Sequence, residues 1–119
     1  MMMAKDPKTL GLLGERLAAA YLKKQGFQIL AQNLRTDFGE IDILAKKKGL
    51  LVIIEVKTVA NGGIKPFEQM TAKKLAKLAS LANYCFLHFA PKEIRIDFIG
   101  LDFSSDPPRL EHITNLTSF

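Results

Sequence analysis

Cysteine is nearly absent from this chain. The single one, Cys85, can form neither an internal disulfide nor a cysteine zinc cluster, which suits a reducing compartment. It sits in the apolar run Tyr84-Cys85-Phe86-Leu87, so a buried structural thiol is expected there. Long hydrophobic runs are missing too. No segment reaches the ~20 apolar residues that a membrane span needs, and Met1 to Asp6 form no signal-peptide core. The expected address is the cytoplasm, with no membrane partner, and the Asn115-Leu116-Thr117 sequon then has no secretory context. His88 and His112 stand alone, without a partner at zinc-ligand spacing. There is no Walker loop, no GxSxG elbow and no Rossmann fingerprint. Repeats and low-complexity linkers are also absent.

Acidic residues are outnumbered, 12 against 17 Lys and Arg. The net charge of +5 and the pI near 9.4 suit a polyanionic partner, with nucleic acid ahead of a membrane surface. The alternative is a charge that only keeps the surface soluble. With 48% hydrophobic and 24% charged residues over 119 positions, the chain has the composition and length of one globular domain, 1–119. That length buries a real core without staples.

Asp6-Pro7 reads as a helix start, and Leu10, Leu13, Leu17, Ala20 and Tyr21 recur at helical spacing up to Gly26. Phe27 to Asn33, Gly39 to Ala45 and Leu50 to Val59 read as three strands. The last is apolar on both faces, as a central strand would be. Lys46-Lys47-Lys48-Gly49 supplies the hairpin turn before it. Asn61-Gly62-Gly63 reads as a loop. Thr71 can cap a second helix from Ala72 to about His88, with Leu75, Leu78, Ala79, Ala82 and Phe86 on its apolar face. Glu93 to Phe103 alternates as a fourth strand, Asp106-Pro107-Pro108 is a turn, and Leu110 to Leu116 a short edge strand. The expected fold is α/β, a mixed central sheet flanked by helices, in the order αβββαββ.

The third strand carries the anomaly. Within Leu51-Val52-Ile53-Ile54-Glu55-Val56-Lys57-Thr58-Val59, Glu55 and Lys57 share a face, because strand side chains repeat every two residues. Charges in the middle of a sheet are costly unless paired or metal-bound. The second strand adds Glu40 and Asp42. A hairpin turning at Lys48-Gly49 pairs residues whose numbers sum to 97, which sets Asp42 opposite Glu55. Facing carboxylates repel, and a hard divalent cation with oxygen ligands relieves that repulsion. Lys57 beside it could orient a water or neutralise charge on a phosphate. The other reading is an ion pair of Glu55 with Lys57 at a strand end and Asp42 on the surface.

Glu15 lies in a small apolar helical column, Gly11, Ala18 and Leu22. It either packs against protein or, as a partly exposed helix carboxylate, pairs with Arg16 or another base. Lys73, Lys74, Lys77 and Arg35 are candidates for phosphate contacts; a solvated helix face is the alternative for the lysines. Lys46, Lys47 and Lys48 are expected to add positive charge near the site. Gln69 could reach the site from the loop before the helix, or lie on the surface. Arg95 and Asp97, alternating with Ile94, Ile96 and Phe98, read as a local ion pair or as sheet-surface residues.

Gly14-Glu15-Arg16, Ala18 through Gly26 with Tyr21-Leu22, Asn33-Leu34-Arg35, Gly39-Glu40-Ile41-Asp42 and Glu55-Val56-Lys57 together resemble the YraN family of small bacterial proteins. Lys73 and Arg95-Ile96-Asp97 extend the likeness, which covers roughly Gly11 to Leu101. The resemblance implies a restriction-endonuclease-like fold of the PD-(D/E)xK kind, similar to archaeal Holliday junction resolvases. It further implies Asp42 and Glu55 as ligands of Mg²⁺ or Mn²⁺, Lys57 as the catalytic lysine and Glu15 as a helix acid. Thr58-Val59 stands where the family commonly has an arginine, which removes the ground for a phosphate contact there.

Two functions are carried forward. One is a metal-dependent endonuclease on DNA, branched DNA included, for which a homodimer would suit junction cleavage. The other is a non-catalytic module that binds nucleic acid or protein and keeps the nuclease fold.

Overall fold

Asp6 opens helix α1 (Pro7–Lys24) by accepting the Thr9 N–H and hydroxyl at 3.2 and 2.9 Å, and Pro7 fills the first turn. At the other end Gly26 takes φ 94°, a left-handed value that glycine adopts without strain and that turns the chain into the sheet. The computed structural model describes residues 6–60 and 65–116. The Asn61-Gly62-Gly63 loop therefore lies outside the described residues.

The strands are β1 (Gln28–Thr36), β2 (Gly39–Lys47), β3 (Leu50–Val59), β4 (Glu93–Asp102) and β5 (Arg109–Ile113). They form one five-stranded sheet in sequence order, with β3 at its centre. A short 3-10 helix, Pro66–Gln69, and helix α2 (Ala72–Phe89) connect β3 to β4. That crossover makes β3 and β4 parallel, whereas every other neighbouring pair is antiparallel. Thr71 caps α2 by accepting the Lys74 N–H. The expected α/β class and αβββαββ order are what the molecule has.

The sheet buries a core on each face. Leu51, Ile53, Ile96 and Phe98 pack beneath Leu75, Leu78, Leu81 and Cys85 of α2. Val52, Ile54, Ile99 and Leu101 pack beneath Ala18, Ala19 and Leu22 of α1. The Cys85 thiol is buried and free, and burial pushes its pKa up. The apolar stripe of α2 departs from expectation in two places: Ala79 is exposed and so is Phe86, while Leu81 and Cys85 fill the seam.

The strand ends differ from expectation in several places: β2 runs on to Lys47, two residues past Ala45, and β4 stops at Asp102, one short of Phe103. β1 runs on to Thr36, three residues past its expected end. β5 stops at Ile113, short of Leu116. The lysines Lys46, Lys47 and Lys48 sit at the β2–β3 turn, where Lys47 pairs with Leu50. Glu55 lies five residues further along β3, which is about 16 Å of strand, so these lysines are remote from the site rather than near it. Lys47 instead donates to the Gln25 carbonyl at 2.8 Å and lies over the Phe27 ring.

Candidate functional site

The expected β2–β3 register holds from Lys47↔Leu50 to Ile43↔Ile54 and then stops. The next pair in that register would be Asp42 and Glu55. Here β2 turns over: Ile41 joins the core under α2 and Ile43 the core under α1, although residues two apart share a face in a regular strand. Across the other edge, Asn33 has φ 53°, and Ala31 and Leu34 on either side of Asn33 also reach the same core despite their odd spacing. Asn33 and Asp42 thus mark a joint irregularity in β1 and β2. It frees Asp42 from the ladder, and its Oδ2 accepts the Val56 N–H at 2.9 Å.

Glu55 and Lys57 project from β3 toward α2. Glu55 is 5% exposed, and its Oε2 lies 3.5 Å from Lys57 Nζ and 3.0 Å from Lys74 Nζ. Lys74 comes from the first turn of α2, so the sequence candidate for a phosphate contact is already engaged with the central carboxylate. Glu15 reaches the same place from α1. Its Oε1 accepts from Asn33 Nδ2 at 3.0 Å, not from Arg16. Gly14 is what brings it close: a Cβ there would collide with Thr58 Oγ1 of β3, so only glycine lets α1 approach the sheet at this point.

A cleft of about 360 Å³ gathers Glu15, Glu40, Asp42, Glu55, Lys57 and Lys74, and Lys77 also lines it. Of the residues expected to touch nucleic acid, Lys74 and Lys77 line this cleft, while Lys73 and Arg35 are exposed outside it. Arg35 lies 3.7 Å from Glu40. Gln69 is exposed on the 3-10 helix and does not line the cleft.

Electrostatics make the cleft unusual. Burial, then the charge of Glu55, raise the Asp42 pKa to about 7, against the Val56 N–H and Lys57, which act to lower it. Burial raises Glu15 as well, helped by Glu40 and Glu55. Lys57 is lowered by burial and then by its neighbour Lys74. Burial acts on Lys74 in the same sense, but its hydrogen bonds to Lys57 and Glu55 outweigh that and raise it. The result is acids inclined to hold protons beside a lysine inclined to lose one, a pattern typical of sites that move protons.

A hard divalent cation is the group such a donor set would take. Among the described residues no group of three or more His, Cys, Asp or Glu is arranged to hold a metal. Asp42 and Glu55 supply two carboxylates that feel each other's charge. One or two carboxylates, completed by water and phosphate oxygens, are an ordinary Mg²⁺ environment, so the residues present fit that ion.

Sequence reasoning missed Asn33 as the partner of Glu15 and Lys74 as the partner of Glu55. The first is signalled only by an asparagine inside a strand, a residue type that tolerates left-handed backbone. The second requires knowing how α2 crosses β3. Arg95 and Asp97 do form the expected ion pair, at 2.8 and 2.9 Å. Asp97, fully buried, also accepts from the Asn115 N–H and bonds His112, which in turn bonds the Tyr21 hydroxyl. That network lies on the α1 side of the sheet and ties β5 down.

No helix is long and apolar enough to cross a membrane among the described residues. The uncharacterised protein family UPF0102 matches residues 14–101. A UPF0102 protein of Dehalococcoides mccartyi is 43% identical over 116 residues, covering 95% of this chain and 96% of the relative. One from an Arthrobacter species is 44% identical over 118 residues, covering 94% and 97%. One from Geobacter sulfurreducens is 40% identical over 116 residues, covering 91% and 88%. With so long a match to the family and such relatives along nearly the whole chain, this protein belongs to the uncharacterised protein family UPF0102, the YraN family that its motifs resemble.

Proposed function

We propose that the protein is a metal-dependent endonuclease that hydrolyses phosphodiester bonds in DNA, branched DNA included. The observation that carries this reading is the meeting of Asp42, Glu55 and Lys57 in one cleft where the β2–β3 ladder ends, with Asp42 held protonatable near neutral pH. Asp42 and Glu55 would hold Mg²⁺ or Mn²⁺. Bound there, the ion would grip the phosphate and lower the pKa of the attacking water. Lys57, its pKa lowered, orients that water and offsets charge gathering on the phosphate. The water oxygen forms a bond to phosphorus, the bond to the leaving oxygen breaks, and the water proton passes to a neighbouring base. Glu15, raised in pKa and fixed by Asn33, stands at the edge of the cleft and assists proton movement. Lys77 at the cleft wall and Lys73 and Arg35 outside it would neutralise flanking phosphates.

One observation favours a second reading. Lys74 and Lys57 already satisfy Glu55, so the cluster could serve as structure in a module that binds nucleic acid without cutting it.

Branched, single-stranded and duplex DNA, incubated with Mn²⁺ and then with chelator, separate the two. The nuclease reading predicts cleavage that stops with chelator and falls at least about a hundredfold in Lys57→Ala. DNA binding with no cleavage under any metal would establish the binding module instead.

A further inference from the structure

Helix α2 carries three lysines and no acidic residue over 18 positions, and the two halves of its length differ. Lys74 and Lys77 line the acidic cleft. About two turns on, the helix and the β1–β2 turn enclose a second, wider groove of about 770 Å³, lined by Phe38, Ser80, Asn83, Tyr84, Leu87 and His88. Its aromatic side chains are ordered against each other. The Tyr84 and His88 rings stack at 5.5 Å and 11°, and Phe38 sits 5.7 Å from Tyr84. Phe38 is nevertheless 56% exposed, an unfavourable arrangement for a large apolar ring left to water.

The turn that presents Phe38 is pinned rather than loose. The Phe38 N–H donates to Thr36 Oγ1 at 3.0 Å, and the Thr36 hydroxyl donates to the Gly39 carbonyl at 2.8 Å. Gly39 has φ 137°, and the Lys77 side chain lies so close that a Cβ at Gly39 would meet its Cε at 2.8 Å. Lys77 therefore spans the wall between the cleft and the groove. Along the helix axis Lys77 and Tyr84 are about 10 Å apart.

We infer that this groove is a stacking platform for an unpaired base of single-stranded DNA or of a single-stranded arm, entered from the acidic cleft past Lys77. Aromatic faces capture bases of any sequence, and adjacent cations track the backbone. Ser80 and Asn83 offer hydrogen bonds to a base edge. The acid-free helix supplies charge complementarity to a polyanion and disfavours an acid-poor protein surface or a second copy of this basic chain. The bases of an intact duplex are stacked on one another and cannot enter. The inference rests on the proposed nuclease reading only for the phosphate placed in the cleft.

The test measures binding of a short fluorescent dT strand and of a duplex of equal length, in chelator, by anisotropy. Phe38→Ala, an exposed position outside the catalytic cleft, weakens the single strand by roughly five- to a hundredfold. It leaves duplex binding within about twofold and the slope of log Kd against log salt unchanged, because no phosphate contact is lost. Lys77→Ala lowers that slope for both DNAs. No loss in Phe38→Ala, or equal loss for strand and duplex, overturns the platform. So does a dimer in sedimentation that Phe38→Ala dissolves, which would assign the groove to a second copy. Cleavage with Mn²⁺ is scored separately. Phe38-dependent strand binding without cleavage keeps the platform and sinks the nuclease reading, and cleavage with Phe38-independent binding does the reverse.

Discussion

Asp42 carries a cost that the metal-free protein cannot avoid. Its folded pKa of about 7 stands above the unfolded value of 3.8. A carboxyl raised in this way contributes stability that is fully present below about pH 4 and lost as pH rises toward about 7. In chelator, wild-type stability should therefore fall across that window by a few kcal/mol, because each tenfold difference in proton affinity between the folded and unfolded chain is worth about 1.4 kcal/mol. Asp42→Asn keeps an acceptor for the Val56 N–H but cannot ionise. Urea titrations at pH 5 and pH 8 should show the variant losing less stability than the wild type, and at pH 8 equal to it or more stable. A parallel decline in both proteins would mean that Asp42 is not the titrating group. Asp97 is a contrasting case, because it is fully buried yet satisfied by Arg95, His112 and the Asn115 N–H. Asp97→Ala strands a guanidinium and a ring nitrogen, and about 3–5 kcal/mol should be lost. Tm and denaturant midpoints of the variant check this, and a loss under about 1 kcal/mol would show the network to be dispensable.

At the scale of elements, the site exists because two strands break their own rules. β3 is regular, so its burial and the shared face of Glu55 and Lys57 were legible from alternation alone. β2 was legible only in part. Its pattern reads unevenly because Ile41 and Ile43 face different cores, and nothing in a period-two reading anticipates a turnover at Asp42. The same irregularity made Asn33 look like the end of β1, although the strand resumes as far as Thr36. In α2 the helical period places Leu75, Leu78 and Ala82 on the side that faces the sheet, where they lie. The real seam then continues through Leu81 and Cys85, while Ala79 and Phe86 fall outside it, because the line of contact with a twisted sheet need not follow one fixed row of side chains. Contacts between elements, such as Lys74 on Glu55 or Asn33 on Glu15, depend on how the helices cross the sheet and leave no local trace. The Gly14–Thr58 contact is of this kind and has a sharp consequence. Gly14→Ala should push α1 outward, destabilise by about 1–3 kcal/mol and weaken the hold on Glu15. Thr58→Ala should restore most of the loss, which a double-mutant cycle measures. Additive losses would show that the two residues do not meet.

For the whole molecule, one sheet with a core on each face gathers the carboxylates and lysines of the candidate site where β2 and β3 part and both helices approach. The basic excess of the chain is distributed unevenly about that place, with α2 free of acids and the lysines of the β2–β3 turn far away. A polyanion would thus meet the lysines in the first two turns of α2 together with the carboxylates beside them. The proposed nuclease reading requires that Asp42 and Glu55 jointly hold a divalent cation, and melting temperature tests this without any need for a substrate. At pH 8, Mn²⁺ at a hundred times its dissociation constant should raise the wild-type Tm by on the order of 10 °C, while Asp42→Asn shows little or no rise. An equal rise in both proteins, or none in the wild type, would contradict the account.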